Sequence, residues 1–427
     1  MLVLDHPDEL DLPALLRPQD AIVCSQGLAE PVSLTTRLVQ QRATFGPVQL
    51  FLGPTFSDTF RPEHGDAIAF RSYCGTGRNA ALKSAGVLDI VPSHYSELPG
   101  LFATGALPCD VALLTASEPD AQGRFNLGLT RDYVIEAARR ARLVIVEVSS
   151  RVPWVFGAEL PSDIQPDIVV RTDREPLSLV SKSSGAASEV ERAIAARVSQ
   201  LIPDGAALEL GIGVLPDLVL QALRGHRDLG IHSGVIGDGV VELMEAGVIN
   251  NTRKLVDTGT TVAGLLMGSR RLLDFAHRNP CIRLAPASHT HDPGVLRAIP
   301  NFVALNGAIE VDLTGQVNAE SLNGSYIGTV GGQLDFVRGA NGSPGGRSIM
   351  LLPSTARNGT LSRIVPRMPD NVVTTPRSDA DVIVTEWGAA ELRGKSLRER
   401  VAAMIAIAHP HFRDALRHSD ETLEALS

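Results

Sequence analysis

The sequence has 427 residues, of which 44% are hydrophobic and 4% aromatic, and its formal net charge is −9. This size favours two globular domains, and the acidic balance without a Lys/Arg stripe argues against a nucleic-acid-binding protein. No apolar run reaches the ~18 residues of a membrane span, and the N-terminus lacks the pattern of a secretory signal. The four cysteines have no zinc or disulfide spacing, which is typical of reduced thiols. We therefore expect a cytoplasmic protein with no membrane partner.

In the first half of the chain, short apolar runs alternate with longer segments of helical periodicity. The strand at residues 143–148 is the clearest, and it follows a segment, residues 132–142, whose apolar residues recur at helical spacing. Strands separated by helices indicate βαβ units and a mostly parallel sheet. The predicted strands are residues 21–24, 48–52, 111–114 and 143–148.

The second half repeats this pattern after a small, polar segment at residues 181–188 that is typical of a linker. The helix predicted at residues 189–201 begins with Ser188 as its N-cap and Glu191 at capping-box spacing. We place the domain boundary near residue 185, with domains at 1–185 and 186–427. A further helix is predicted at 217–223, after Pro216, and strands at 206–210, 302–305, 348–352 and 382–385.

Two glycine-rich segments are candidates for ligand binding. The segment Gly211-Ile212-Gly213 lacks the third glycine of a dinucleotide fingerprint, because position 216 is proline, so a tight strand-to-helix turn is the favoured interpretation. In the segment from Gly328 to Gly332, successive glycines either aim backbone N–H groups at an oxyanion or phosphate, or form a simple turn.

Other motifs that would define an enzyme class are missing from the sequence. It contains no P-loop, no HExxH zinc motif and no GxSxG nucleophile elbow. His289 and His291 lie beside Asp292, but a polar loop explains these residues without a metal ion. No metal is expected.

Longer strings along the chain resemble the acetyl-CoA hydrolase/transferase family, which belongs to the class I CoA-transferases. The resemblance covers nearly the whole chain and is clearest in the second half. It rests on residues 210–213 (LGIG), 229–233 (LGIHS), 238–241 (DGVV), 245–249 (EAGVI), 266–272 (LMGSRRL), 310–317 (EVDLTGQV), 330–340 (VGGQLDFVRGA) and 384–388 (VTEWG).

The resemblance implies a fold of two tandem open α/β/α domains with the active site in the cleft between them, and a homodimer or homotetramer. It implies coenzyme A, bound as a substrate thioester, with acyl-CoA and a carboxylate or other acyl acceptor as partners. In such enzymes a Glu attacks the acyl-CoA and then carries CoA as a glutamyl thioester. The same resemblance assigns Arg78 and Glu97 to an acyl pocket, although a surface ion pair explains Arg78 equally well. It assigns the oxyanion hole and CoA contacts to Gly211, Gly213, Gly328, Thr329, Val330, Gly331 and Gly332.

The sequence departs from the family at the residue that should carry the chemistry. Gly234 stands at the position of the nucleophilic Glu, and Thr329 stands where the family has glycine. A glycine has no side chain to acylate, so the glutamyl route is closed unless another carboxylate substitutes. We expect a void beside Gly234 that is similar in size to a Glu side chain.

The remaining catalytic candidates are Glu310 as a general base, His232 as a proton carrier, and Asp238, for which a structural role is the preferred interpretation. Three functional hypotheses stay open. The chain is a CoA-thioester enzyme, acting as a transferase by another route, a thioesterase or an acyltransferase; or a catalytically inactive acyl-CoA-binding protein; or an unrelated α/β enzyme.

Overall fold

The computed structural model describes residues 1–179, 187–368 and 372–419. The chain forms two compact units, Met1–Val180 with Val235–Asp238 and Val262–Thr290, and Ser181–Gly234 with Gly239–Thr261 and His291–Ser427. The boundary predicted near residue 185 lies outside the described residues, as does most of the predicted linker. No helix in the described ranges is long and apolar enough to cross a membrane.

The first sheet is entirely parallel. In the described part of the chain it has eight strands, in the order β1-β8-β7-β6-β2-β3-β4-β5. Parallel strands need crossover connections, and four helices lie within this part of the chain. The strands are β1 (Leu2–Leu4), β2 (Ala21–Cys24), β3 (Val48–Leu52), β4 (Ile68–Ser72), β5 (Leu88–Ile90), β6 (Val111–Ala116), β7 (Leu143–Ser149) and β8 (Ile168–Thr172), and the helices are α1 (Val32–Gln41), α2 (Asn79–Ser84), α3 (Leu98–Thr104) and α4 (Val134–Arg140).

Both faces of this sheet are buried, which explains its continuous aliphatic strands. On strand β2, Ile22 faces the apolar layer that contains Leu34 of α1. Its neighbour Val23 faces the opposite layer, which contains Val134 of α4. Adjacent strand residues therefore pack on opposite sides, as the pleat requires.

The second sheet has the order β12-β11-β10-β9-β13-β18-β22-β23 in the described residues. Its pairs from β10 to β22 are parallel, and β23 joins the edge antiparallel. The strands are β9 (Ala207–Leu210), β10 (Gly230–Ile236), β11 (Thr261–Leu266), β12 (Ile282–Leu284), β13 (Phe302–Gly307), β18 (Arg347–Leu351), β22 (Val382–Thr385) and β23 (Gly388–Glu391).

The remaining elements of the second half are nine helices and seven short strands in the described residues. A three-stranded sheet has the order β15-β14-β21, and β16 pairs with β17 and β19 with β20. The helices are α5 (Glu189–Gln200), α6 (Val214–Ala222), α7 (Asp238–Glu245), α8 (Arg270–Ala276), α9 (Ala287–Thr290), α10 (Pro293–Ala298), α11 (Gln333–Gly342), α12 (Leu397–Ile407) and α13 (Arg413–Arg417), and the strands are β14 (Glu310–Asp312), β15 (Val317–Asn318), β16 (Ser321–Leu322), β17 (Ser325–Tyr326), β19 (Thr355–Ala356), β20 (Leu361–Ser362) and β21 (Ile364–Val365).

The predicted fold class, α/β with tandem halves, is confirmed, and so is the capping box of α5. The Ser188 hydroxyl accepts from the backbone N–H of Glu191 at 3.2 Å, and the Glu191 carboxylate accepts from the backbone N–H of Ser188 at 2.8 Å. Helix α6 begins at Val214, three residues before the predicted start, so Pro216 lies inside its first turn.

Candidate active site

Gly234 lies on β10, which pairs with β9 in the interior of the second sheet. Ile231 is the partner of Leu208 in this pairing. Further along, the Ser233 hydroxyl donates to the carbonyl of Leu210 at 3.0 Å. Backbone pairing and this side-chain bond therefore fix the position of β10 up to the residue before Gly234, which is itself half-buried.

The ring of His291 occupies the space next to Gly234. A Cβ at position 234 would lie 3.1 Å from both Cε1 and Nε2 of this ring, and a Cβ at Gly332 would lie only 2.6 Å from Nε2. The ring also packs against Phe336, with centroids 4.4 Å apart. The predicted void beside Gly234 is therefore wrong, because an imidazole fills the place where a longer side chain would begin.

His291 is 3% exposed, and its surroundings control its charge. Burial, followed by the nearby His232, lowers the pKa of His291 to about 3. Taking an imidazole out of water disfavours the charged form, and a second imidazole beside it acts in the same direction. His291 is therefore a neutral ring near pH 7, with one ring nitrogen able to accept a proton.

His232 is fully buried on the same strand as Gly234. One of its ring nitrogens lies within 4.8 Å of a carboxylate oxygen of Asp257. The ammonium of Lys254 donates to the carbonyls of Ile231 and Thr260, both at 2.7 Å, and burial lowers the pKa of Lys254 to about 7. The Lys254 bond holds the backbone of β10 immediately before His232.

The glycine-rich loop at residues 328–332 leads into α11. Within it, the N–H of Gly328 donates to Glu320 O at 2.8 Å, and the N–H of Val330 donates to the Tyr326 hydroxyl at 3.2 Å. Gly328 must be glycine, because a Cβ there would lie 1.9 Å from Ala319 O. The oxyanion-hole assignment of Gly331 and Gly332 stays a prediction.

Glu209 is a buried carboxyl group that the sequence analysis did not single out. It lies on β9, two residues before Gly211, and is 4% exposed. Asn306 Nδ2 donates to its Oε2 at 2.8 Å, and burial raises the pKa of Glu209 to about 8. The sequence did contain a signal for Glu209, since it is an acidic residue within an otherwise apolar predicted strand.

Comparison with known proteins identifies the family of this chain. Family models of the acetyl-CoA hydrolase/transferase N-terminal and C-terminal domains match residues 12–180 and 268–419. The chain is 40% identical over 400 residues to a 4-hydroxybutyrate coenzyme A transferase of Clostridium kluyveri, covering 92% of each protein. The chain belongs to the acetyl-CoA hydrolase/transferase family.

Solved structures are similar to this chain over nearly its full length. RipA from Yersinia pestis superposes with a TM-score of 0.91 at 35% identity, covering 99% of this chain and 98% of RipA. A 4-hydroxybutyrate CoA-transferase from Porphyromonas gingivalis superposes with a TM-score of 0.81 at 33% identity, covering 97% and 96%. The family resemblance found in the sequence is therefore confirmed.

In this family member, the carboxylates named from the sequence already hold structural contacts. Both oxygens of Asp238 accept from Ser269, one from its backbone N–H and one from its hydroxyl, each at 2.9 Å. These bonds fix the start of α8, since Ser269 is its N-cap. Glu310 is buried on β14, where its Oε1 accepts from Asn318 Nδ2 at 2.9 Å.

The two residues assigned to an acyl pocket are exposed. The guanidinium of Arg78 lies 3.0 Å from the carboxylate of Asp58, and both side chains are more than half exposed. This is the surface ion pair that the sequence left open. Glu97 is exposed directly before α3. The acyl pocket itself stays a prediction.

The turn at Gly211 and Gly213 leads from β9 into α6, as the sequence analysis favoured. Gly213 is the N-cap of α6 with a φ of +128°, a conformation that side chains other than glycine rarely adopt. Gly211 has no atom within 4 Å of the place where a Cβ would stand. Open space at Gly211 suits contact with a ligand, and this role also stays a prediction.

Proposed function

We propose that this chain cleaves acyl-CoA thioesters by direct attack of an external acceptor, with water as the simplest acceptor, and forms no glutamyl-CoA intermediate. The observation that carries the proposal is the pair Gly234 and His291. Position 234 has no nucleophile, and the imidazole of His291 stands 3.1 Å from where its Cβ would be. A glycine has no side chain to acylate, so the proposal excludes a covalent route through this position on chemical grounds.

The carboxylates of Asp238 and Asp312 support the same proposal, because the oxygens of both accept hydrogen bonds from other residues. Asp238 holds Ser269 with both oxygens. Asp312 accepts from Thr314 and from the backbone and side chain of Gln316. These hydrogen bonds give both carboxylates a structural role, which makes them poor candidates for the nucleophile.

The glycine loop supplies the second part of the proposed reaction. Backbone N–H groups aimed at a developing oxyanion stabilise it without any rearrangement, and losing one such donor typically costs about 10²–10³ in rate. We assign this role to Gly331 and Gly332, which close the loop next to His291. The substrate class follows from family membership, and the acyl group remains open.

The test uses the purified chain with acetyl-CoA and butyryl-CoA, each with and without acetate or butyrate as acceptor. Free thiol and new CoA ester are followed together, and intact-protein mass is recorded during turnover. We expect thiol release that does not depend on a carboxylate, with no protein species that carries CoA.

Two results would overturn the proposal. New CoA ester together with a protein–CoA adduct would mean that another carboxylate forms the thioester. An absence of thiol release, with CoA still raising the melting temperature, would mean that the chain binds acyl-CoA without cleaving it, since a ligand that binds only the native state must stabilise it.

A further inference from the structure

His291 is held in a slot whose two sides are glycines. The edge of the ring that carries Nε2 faces both of them, because Cβ atoms at positions 234 and 332 would lie 3.1 Å and 2.6 Å from this nitrogen. Phe336 packs against the ring. Any side chain at either glycine would push the ring away, so the two glycines place Nε2 where it is.

The slot lies between two features that thioester cleavage in this family requires, a place for the attacking group and a loop for the oxyanion. Gly234 stands where the family resemblance places the nucleophile, and Gly332 ends the loop proposed to hold the oxyanion. Both glycines are half-buried, whereas His291 is buried. A substrate carbonyl bound for attack at this place would therefore meet the Nε2 edge of the ring.

The burial of the ring favours a base over a nucleophile. The carboxylate oxygens of a Glu lie three bonds beyond its Cβ, so Nε2, 3.1 Å from the Cβ position at 234, stands close to the place of the family's attacking atom. The ring is 3% exposed, so a small water molecule reaches it more easily than a thioester carbonyl does. A water hydrogen-bonded to Nε2 at about 2.6–3.2 Å can give its proton to the ring.

We infer that Nε2 of His291 is the general base that replaces the missing Glu, by activating a water molecule for attack on the thioester. The inference rests on the proposed function and names the residue that performs it. In the step, Nε2 takes one proton while the water oxygen bonds to the carbonyl carbon. The carbon–sulfur bond of the tetrahedral oxyanion then breaks, and the sulfur takes the proton from Nε2. The products are a carboxylic acid and free CoA, and the ring returns to its neutral form.

The low pKa of His291 keeps the base form populated in the resting enzyme, and it also makes the resting ring a weak base. During attack, the negative charge that develops on the substrate oxygen opposes the effect of desolvation and strengthens the base. The short-lived imidazolium is a strong acid, which favours passing the proton to the leaving sulfur.

The test compares the wild type with His291→Ala and His291→Gln, using acetyl-CoA and butyryl-CoA. Both variants should lower kcat for thioester hydrolysis by about 10²- to 10⁴-fold, the usual contribution of a general base. Free imidazole should restore part of the activity of His291→Ala, because the ring leaves a slot of its own shape, and should not restore His291→Gln, whose side chain fills the slot.

The matched control is His226→Ala, a half-buried histidine of the same unit whose Nε2 contacts the backbone carbonyls of Ser199 and Ile202. It should keep wild-type kcat and show no response to imidazole. Melting temperatures of all variants separate misfolding from lost chemistry, and His291→Gln keeps the test valid if His291→Ala does not fold.

The outcomes separate the two proposals. If the wild type releases no thiol, the proposed function fails. If the wild type hydrolyses the thioester and folded His291 variants do so equally fast, His291 is a packing residue and the base lies elsewhere. Reduced activity of folded His291→Ala that imidazole does not restore would also overturn the assignment, since a structural defect explains it.

Discussion

The two units hold their buried polar groups in different ways. In the first unit, Asp132 Oδ2 accepts from Gln26 Nε2 and Thr130 Oγ1, both at 2.5 Å, and Oδ1 accepts from the backbone N–H of Val134 at 2.8 Å. Gln26 extends the network, because its Oε1 accepts from the hydroxyl of Tyr73 at 2.8 Å. Directional bonds therefore fix this region.

In the second unit, close packing contributes more to the placement of the buried polar side chains. Glu209 accepts hydrogen bonds from the side chain of Asn306 and from the backbone of Leu305, and His291 is placed by the missing side chains of Gly234 and Gly332. The comparison indicates that the first region is sensitive to the removal of a polar atom. The second is sensitive to the addition of a methyl group, or to the ionisation of a buried carboxyl group.

The largest expected effect is in the first region. Asp132→Ala would leave buried donors of Gln26, Thr130 and Val134 without their acceptor, so we expect the free energy of unfolding to fall by about 3–5 kcal/mol. Urea denaturation measures this. The control is Asp163→Ala, an exposed carboxylate paired with Arg139, which should leave the unfolding midpoint unchanged. Equal midpoints for the two variants would contradict the contrast drawn here.

The pH dependence of the free energy of unfolding tests the role of Glu209 in the second unit. Its folded pKa of about 8 lies above the ordinary value of 4.5, so the folded state favours the neutral acid, and stability is lost as pH rises from about 4.5 to about 8. Glu209→Gln is neutral throughout and keeps an oxygen for Asn306. Its advantage over the wild type should therefore grow across this window, to on the order of 2–4 kcal/mol at pH 8.

Urea unfolding at pH 5 and pH 8 checks this expectation, with Glu189→Gln on the exposed start of α5 as the control. The control should show little difference between the two pH values. A gap between Glu209→Gln and the wild type that is the same at both would mean that Glu209 is ionised in the folded protein.

The smallest effects concern the slot around His291. Gly332→Ala brings a Cβ within 2.6 Å of His291 Nε2 and should cost about 1–3 kcal/mol by overpacking. Gly234→Ala should cost less, because at 3.1 Å a shift of a few tenths of an ångström relieves the contact. Gly225→Ala is the control, since its Cβ would meet no atom within 4 Å.

A double-mutant cycle identifies why Gly332→Ala lowers the free energy of unfolding. If the ring is the obstacle, adding His291→Ala to Gly332→Ala should remove most of the penalty, giving a coupling energy that contacting residues typically show. Additive effects would place the strain in the loop backbone instead.

Local patterns were enough to predict much of the fold. The strands at 21–24, 48–52 and 382–385 have the predicted bounds, because aliphatic runs between turn residues leave few alternatives. Strands such as β4 and β5 were not predicted, since their alternation of apolar and polar residues is short and weak. Helix α6 extends further toward its N-terminus than predicted because Pro216 is tolerated within a first turn.

The sequence by itself determined the family and the tandem α/β organisation, because these depend only on residue identity and local order, and it led to the prediction that Gly234 stands at the place of the nucleophile. What stands in place of that nucleophile was decided by the tertiary structure. His291 is distant from Gly234 and Gly332 along the chain, and the three positions meet only when β10, α11 and the segment before α10 pack together. Protein interiors are packed about as densely as organic crystals. The space expected beside Gly234 is therefore occupied by the imidazole ring of His291.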